Sequence, residues 1–132
     1  VNTGSYDTQG IRYGNTYQIE RLNTTNVGLM LGYTDSDQPR VAKYKVVVSS
    51  VTDLGGYDIS FRYTGLFDRE PGAYDGTEML DDVSSLDYKI EKAYPNYLLS
   101  FTIRDILDKE FELVPNYAAG GLEYFLTLQY RP

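Results

Sequence analysis

Residues 42–64 read AKYKVVVSSVTDLGGYDISFRYT, and this stretch decides the fold. Ala42, Tyr44, Val46 and Val48 alternate with Lys43, Lys45 and Val47. Beyond Asp53-Leu54-Gly55-Gly56, the residues Tyr57, Ile59, Phe61 and Tyr63 alternate with Asp58, Ser60, Arg62 and Thr64. A β-strand sends successive side chains to opposite faces, so rings and aliphatic groups at every second position mark a strand with one covered and one wet face. The two glycines between the runs supply the left-handed backbone of a tight turn. The stretch therefore predicts an antiparallel hairpin.

The same period continues on both sides. Tyr17, Ile19 and Arg21 alternate, and Asn23-Thr24-Thr25-Asn26 reads as a polar turn. Val27, Leu29, Leu31 and Tyr33 then point one way, while Gly28, Met30 and Gly32 point the other, small residues that predict a second backbone lying close. Downstream come Tyr88 and Ile90, then Tyr97, Leu99, Phe101 and Ile103, then Phe111 and Leu113, and finally Leu122 to Tyr130 at alternate positions. Residues 65–87 break the period. Asp75 followed by Glu78 resembles a capping box, and Met79, Leu80, Val83 and Leu86 fall near helical spacing, so a short helix is predicted at 77–85.

Seven or eight short strands on a chain of 132 residues predict a single all-β domain. The expected architecture is an antiparallel β-sandwich of jelly-roll or Ig-like type, with a closed β-barrel as the alternative, because a lone sheet of this size leaves one apolar face wet. Residues 1–16 are polar and read as an extended arm or edge strand, and residues 17–132 as the sandwich domain.

Composition narrows the chemistry. The chain has fourteen tyrosines and five phenylalanines but no tryptophan, histidine or cysteine. Disulfides and thiolate or imidazole metal sites are thereby excluded, as are the usual proton carrier and the most reactive nucleophile. The net charge of −7 has the wrong sign for a nucleic-acid phosphate backbone. Residues 53–87 hold nine acidic and two basic side chains, so this segment carries the whole imbalance. No apolar run approaches the roughly 20 residues of a membrane-spanning helix, and the expectation is a soluble chain without a membrane span.

Tyrosines alternating with aliphatic residues (Tyr44, Tyr57, Tyr63, Tyr124, Tyr130) read as core or core rim. Those in turns or beside Pro and Gly (Tyr6, Tyr13, Tyr74, Tyr94, Tyr97, Tyr117) are the candidate interaction residues, since loop tyrosines suit recognition of protein or sugar. Asp75, Glu78, Asp81 and Asp82 are the candidate oxygen ligands for calcium, although they lack the spacing of an EF-hand loop; no other cofactor is indicated. No two acids stand out as a glycosidase pair. The expected function is non-enzymatic. The leading expectation is a structural or assembly component of a viral or phage virion (capsid decoration, head-to-tail or tail part), acting through protein subunits in a larger oligomer. A tyrosine-rich carbohydrate-binding or adhesin module, with calcium assisting, is the alternative. Either role places the chain in a virion or outside the cell.

Overall fold

The computed structural model describes residues 8–19, 24–36, 41–69, 71, 80–109, 112–114, 117–118 and 121–132. Among the described residues nine strands follow one another: β1 (Thr8–Ile19), β2 (Thr25–Ser36), β3 (Ala42–Leu54), β4 (Tyr57–Arg69), β5 (Val83–Ala93), β6 (Tyr97–Arg104), β7 (Glu112–Val114), β8 (Tyr117–Ala118) and β9 (Glu123–Tyr130). Seven of them form one sheet in the order β1-β2-β3-β4-β5-β6-β9, every pairing antiparallel, and β7-β8 is a separate two-stranded ribbon. Each strand of the large sheet lies beside the next one to join it, so the sheet is an open up-and-down meander.

The hairpin of residues 42–64 forms as its pattern dictates. Leu54 pairs with Tyr57 across Gly55 (φ 61°) and Gly56 (φ 81°), and the Gly56 amide donates to Asp53 Oδ1 at 3.2 Å. Positive φ at both central positions matches the twist of the flanking strands, which is why a Gly-Gly pair serves here.

Register carries the alternation across the whole sheet. One row of directly opposed residues runs Tyr17, Val27, Ser50, Phe61, Tyr88, Ile103 and Tyr124, and the neighbouring rows on that face are equally apolar. The other face carries Arg12, Lys45, Arg62, Asp87, Lys89 and Thr102 with the glycines Gly10, Gly14, Gly28 and Gly32. In β1 the row lies near the C-terminal end, whereas in β9, which runs the same way, it lies at the start. The strands therefore slide by about six residues over six pairings, and at the ordinary strand rise and spacing this amounts to a tilt of about 35°.

The sandwich expected from the sequence is not seen: the described residues of the large sheet make a single layer. Alternation demands only that an apolar face be covered. It does not say that the same chain covers it, and each connection here returns to the adjacent strand, so no second layer is built. The helix expected at 77–85 is likewise corrected. No described residue is helical; Leu80 bridges Arg69, and Val83–Ser85 belong to β5, where the partner strand outweighs a helical spacing of apolar groups. Residues 77–79 lie outside the described residues. β1 crosses the division expected at residue 16 and forms one edge of the sheet.

The buried apolar side chains are Val47 and Val83 alone among the described residues, and both sit on the polar face, as does buried Ser100. Side chains on the apolar face splay apart instead: Ile11 and Leu126 are each 75% exposed. The polar face is thus the more crowded one in the central strands, whereas β1 and β9 are exposed on both faces. The accessible area of 9737 Å² compares with about 7,000 Å² for a compact monomer of this mass.

Candidate functional site

The apolar face is the most distinctive surface of the molecule, and its composition changes with height along the strands. Its middle carries Leu29 and Leu31, Val46 and Val48, Leu86 and Ile90, Leu99, Leu126 and Leu128. Its two rims are aromatic. Tyr33 and Tyr44 pair at one rim with ring centroids 5.5 Å apart, joined there by Phe67 and Tyr124. At the other rim Tyr97 and Tyr130 pair at 5.5 Å, with Tyr57 and Tyr17 farther along the same rim on β4 and β1. Lys92 stands at this second rim, donating to Tyr57 Oη at 3.0 Å with its ammonium 4.1 Å from the ring centre. On β4, Tyr57 and Phe67 are separated by ten residues. That span measures about 33 Å along the strand and about 27 Å along the normal at the tilt above. β6 and β9 are shorter, with eight residues each.

Departures from this pattern are few and mostly partnered. Asn15, the amide on the apolar face of β1, donates from Nδ2 to Tyr17 Oη at 3.1 Å and to Tyr13 Oη at 3.4 Å. Tyr63, in the middle, donates to Ser84 Oγ at 3.4 Å. Gly65 packs beneath Phe67, whose ring atoms would lie 2.7 Å from a Cβ placed there. Phe61 and Tyr88 meet across β4 and β5 as a tilted pair, ring centroids 4.9 Å apart.

The two ends of the sheet differ as well. At the Tyr17/Tyr57/Tyr97 rim the strands are joined by residues 20–24, 55–56 and 94–96; at the opposite rim the connections are 37–41, 70–82 and 105–122. The two long connections, 70–82 and 105–122, thus lie at the same end, while 20–24 and 37–41 at opposite ends are equal in length.

The polar face holds a groove of about 490 Å³ floored by Gly14, Gly28 and Val47 and flanked by Arg12 and Arg62. A second groove adjoins it, floored by Gly10 and Gly32 and flanked by Arg12 and Lys45. No carboxylate lines either one. The close second backbone expected at Gly28 and Gly32 is not what lies nearest: a Cβ on Gly28 would lie 2.8 Å from the Ser49 hydroxyl and one on Gly32 3.6 Å from Lys45 Cβ, both side-chain atoms of β3, with the Lys45 carbonyl oxygen 3.9 Å from the latter. These cations are not singled out by sequence, because a lone Arg or Lys on a strand face reads as solvated charge. Only the register sets them around a shared floor. Acids gather toward the short-turn end, where Asp53, Asp58 and Glu91 are consecutive neighbours in one row and Lys89 Nζ reaches Glu91 Oε2 at 2.5 Å.

The candidate interaction tyrosines are scattered. Tyr13 lies on the apolar face of β1, Tyr94 in the β5–β6 turn and Tyr97 at the short-turn rim, all exposed. Tyr117 falls in β8, and Tyr6 and Tyr74 lie outside the described residues. Tyr44, Tyr57, Tyr124 and Tyr130, expected in a core or at its rim, are exposed on the rims of the uncovered face, Tyr124 at 62%. Of the candidate calcium ligands, Asp75 and Glu78 lie outside the described residues. Asp82 Oδ1 accepts from the Asp68 amide at 3.2 Å, and no metal-ligating cluster occurs among the described residues.

One acid has a distinct environment. Asp105, at φ 50° just beyond β6, is 6% exposed, and neither carboxylate oxygen has a hydrogen-bond partner. Its amide donates to Asp87 Oδ1 at 3.1 Å, and the Ile106 amide donates to Leu86 O at 2.8 Å, so the start of the long connection is pinned onto β5. Burial raises the Asp105 carboxyl above the ordinary carboxylate value, and the charges of Asp108 and Asp87 add to the rise. Compared with known protein families, with curated proteins and with solved structures, the chain matches none.

Proposed function

We propose that the seven-stranded sheet is part of the wall of a transmembrane β-barrel of the outer-membrane type, its apolar face against lipid and its polar face lining the interior. The observation that carries this reading is the uncovered apolar face with aliphatic residues across its middle and aromatic rings along both rims. Tyrosine suits the boundary between acyl chains and water, with its ring on the apolar side and its hydroxyl on the wet side. The rim-to-rim span is about 27 Å on β4, close to the apolar band of about 25 Å in such barrels, and about 16 Å between Tyr124 and Tyr130 on the shorter β9. The tilt, the meander, the backbone hydrogen bonds satisfied strand to strand, and the two long connections sharing one end all suit this reading. No helix of the described residues is long and apolar enough to cross a membrane, and the absence of a membrane span expected from sequence rests on helical length alone. A strand crosses with about 9–11 residues of alternating character, a signal far weaker per segment.

The test is insertion. The protein refolded from urea in the presence of phosphatidylcholine vesicles is expected to float with them, to resist extraction by carbonate, and to show strand-rich circular dichroism. Recovery in the aqueous fraction as a folded species would refute the membrane role.

A second reading keeps the assembly role expected from sequence, as a structural component such as a virion part, with the apolar face covered by protein. It is favoured by the exposed apolar face itself, where Ile11, Leu126 and Leu128 stand uncovered. It predicts a detergent-free soluble oligomer of defined mass. Sugar stacking on exposed tyrosines is a weaker form of the same surface argument, because the exposed rings run in two lines and do not gather into one platform.

A further inference from the structure

We propose that the groove between Arg12, Lys45 and Arg62 on the polar face is a binding site for a phosphate-type oxyanion, free or carried by a small solute. On the barrel reading this face lines the interior, but the site is argued from the face alone and does not depend on what covers the apolar side. The chain has nineteen acidic against twelve basic residues, yet the two adjoining grooves, of about 490 and 240 Å³, hold three cations and no carboxylate. None of the three side chains makes an ion pair or hydrogen bond among the described residues. Asp87, opposite Arg62 in the register, is engaged elsewhere, accepting from Ser85 Oγ at 3.3 Å and from the Asp105 amide at 3.1 Å. Like charges gathered without a counter-charge repel one another, and a bound anion removes that cost.

Register shapes the seat. Arg12 on β1 and Lys45 on β3 stand on either side of Gly32 in one row, so two strand spacings, about 10 Å, separate their Cα atoms. With no side chain on Gly32, the space between the two cations stays open. Two rows along, Thr16, Gly28, Ser49 and Arg62 follow one another from β1 to β4, and a Cβ on Gly28 would lie 2.8 Å from Ser49 Oγ and 3.9 Å from Thr16 Oγ1. Two hydroxyl donors thus flank the second glycine, beside Arg62. A glycine inside a strand marks a bulge, the close approach of another backbone, or the approach of a ligand. The register at Gly28 and Gly32 is unbroken and side-chain atoms are their nearest neighbours, which leaves the ligand. Guanidinium forks and hydroxyls suit the several acceptor oxygens of a phosphate group, whose charge of about −1.5 to −2 answers more than one cation.

The test is titration followed by phosphorus NMR, on the protein folded in alkyl maltoside micelles, or in buffer alone if it folds there. Inorganic phosphate and glycerol phosphate are compared at physiological salt. Saturable binding with a Kd of about 1 mM or tighter is expected. Equal affinities assign the site to the free anion and tighter binding of glycerol phosphate to a phosphorylated solute; both keep it. Arg12→Gln, on an exposed side chain, is expected to weaken binding by about tenfold or more. Gly32→Val keeps every charge but fills the seat, and is expected to weaken it by a similar factor. Lys92→Gln removes the same charge from the opposite face and is expected to change it by less than about twofold. Absence of saturable binding overturns the proposal. An equal loss in Lys92→Gln and Arg12→Gln overturns it too, by reducing the effect to net charge, and a folded Gly32→Val with unchanged affinity overturns the glycine seat. The membrane role fails separately: binding by protein recovered from the aqueous fraction keeps the site and removes the bilayer, whereas vesicle insertion without binding does the reverse.

Discussion

Replacing Leu126 by arginine separates the environments that could cover the apolar face. Leu126 lies midway along β9, 75% exposed in the isolated chain, between the rim residues Tyr124 and Tyr130. If water covered this face, the substitution would be an ordinary surface change, worth within about 0.5 kcal/mol. Against lipid at the middle of the apolar band, an arginine costs about 2–4 kcal/mol. At 1.4 kcal/mol per factor of ten, that is a fall of about 30- to 700-fold in the folding equilibrium. The assay is urea titration of folding into vesicles, followed by tyrosine emission, with Thr127→Arg on the polar face as the matched control. Leu126→Arg is expected to lose the stated amount while Thr127→Arg loses much less. Depth then distinguishes lipid from a protein partner. Toward the edge of a bilayer the cost of arginine falls to about 0–1 kcal/mol, so Tyr130→Arg should be mild, whereas a tyrosine anchoring a protein interface commonly costs 2 kcal/mol or more when truncated. A Leu126→Arg variant as stable as the parent refutes the argument that this face is covered at all.

Three further outcomes follow from local geometry. Asp105→Asn removes a buried charge that has no hydrogen-bond partner. Because the folded carboxyl sits above its ordinary 3.8, the folded state holds that proton more tightly than the unfolded one, and the parent loses stability as pH rises from 3.8 through the raised value. The variant lacks this loss, so its advantage should grow from near zero at acid pH to a plateau at neutral pH, read from urea midpoints; a gap independent of pH contradicts it. Gly65→Ala drives a methyl against the Phe67 ring at 2.7 Å and should cost about 1–3 kcal/mol, relieved when Phe67→Leu is added; equal costs in both backgrounds would sink the packing explanation. Gly56→Ala, at φ 81°, should cost about 1 kcal/mol or more through backbone strain, although nothing lies within 4 Å of the added carbon, and an unchanged melting temperature would argue against the turn geometry.

Much of the fold is legible in the chain. The hairpin of residues 42–64, the strands around Val27–Tyr33, Tyr97–Ile103 and Tyr124–Tyr130, and the all-β class follow from side-chain period and turn chemistry, which act over a few residues. The helical spacing at 77–85 does not survive because apolar residues at Leu80, Val83 and Leu86 fit two periods over so short a run, and pairing with β4 resolves the choice at Val83 and Leu86. The groove cations Arg12, Lys45 and Arg62 are far apart in sequence, and register alone gathers them.

By itself, the sequence determined that this protein has two chemically opposite faces, because alternation is written residue by residue and a strand has no other way to place its side chains. Strand pairing, in contrast, sets that the described residues put no second layer on the apolar face and that aromatic rings line two rims, about 27 Å apart on β4. Those properties depend on which strands are neighbours and how far each slides past the next. Such distances are set by pairings between residues remote in the chain, and no local pattern records them.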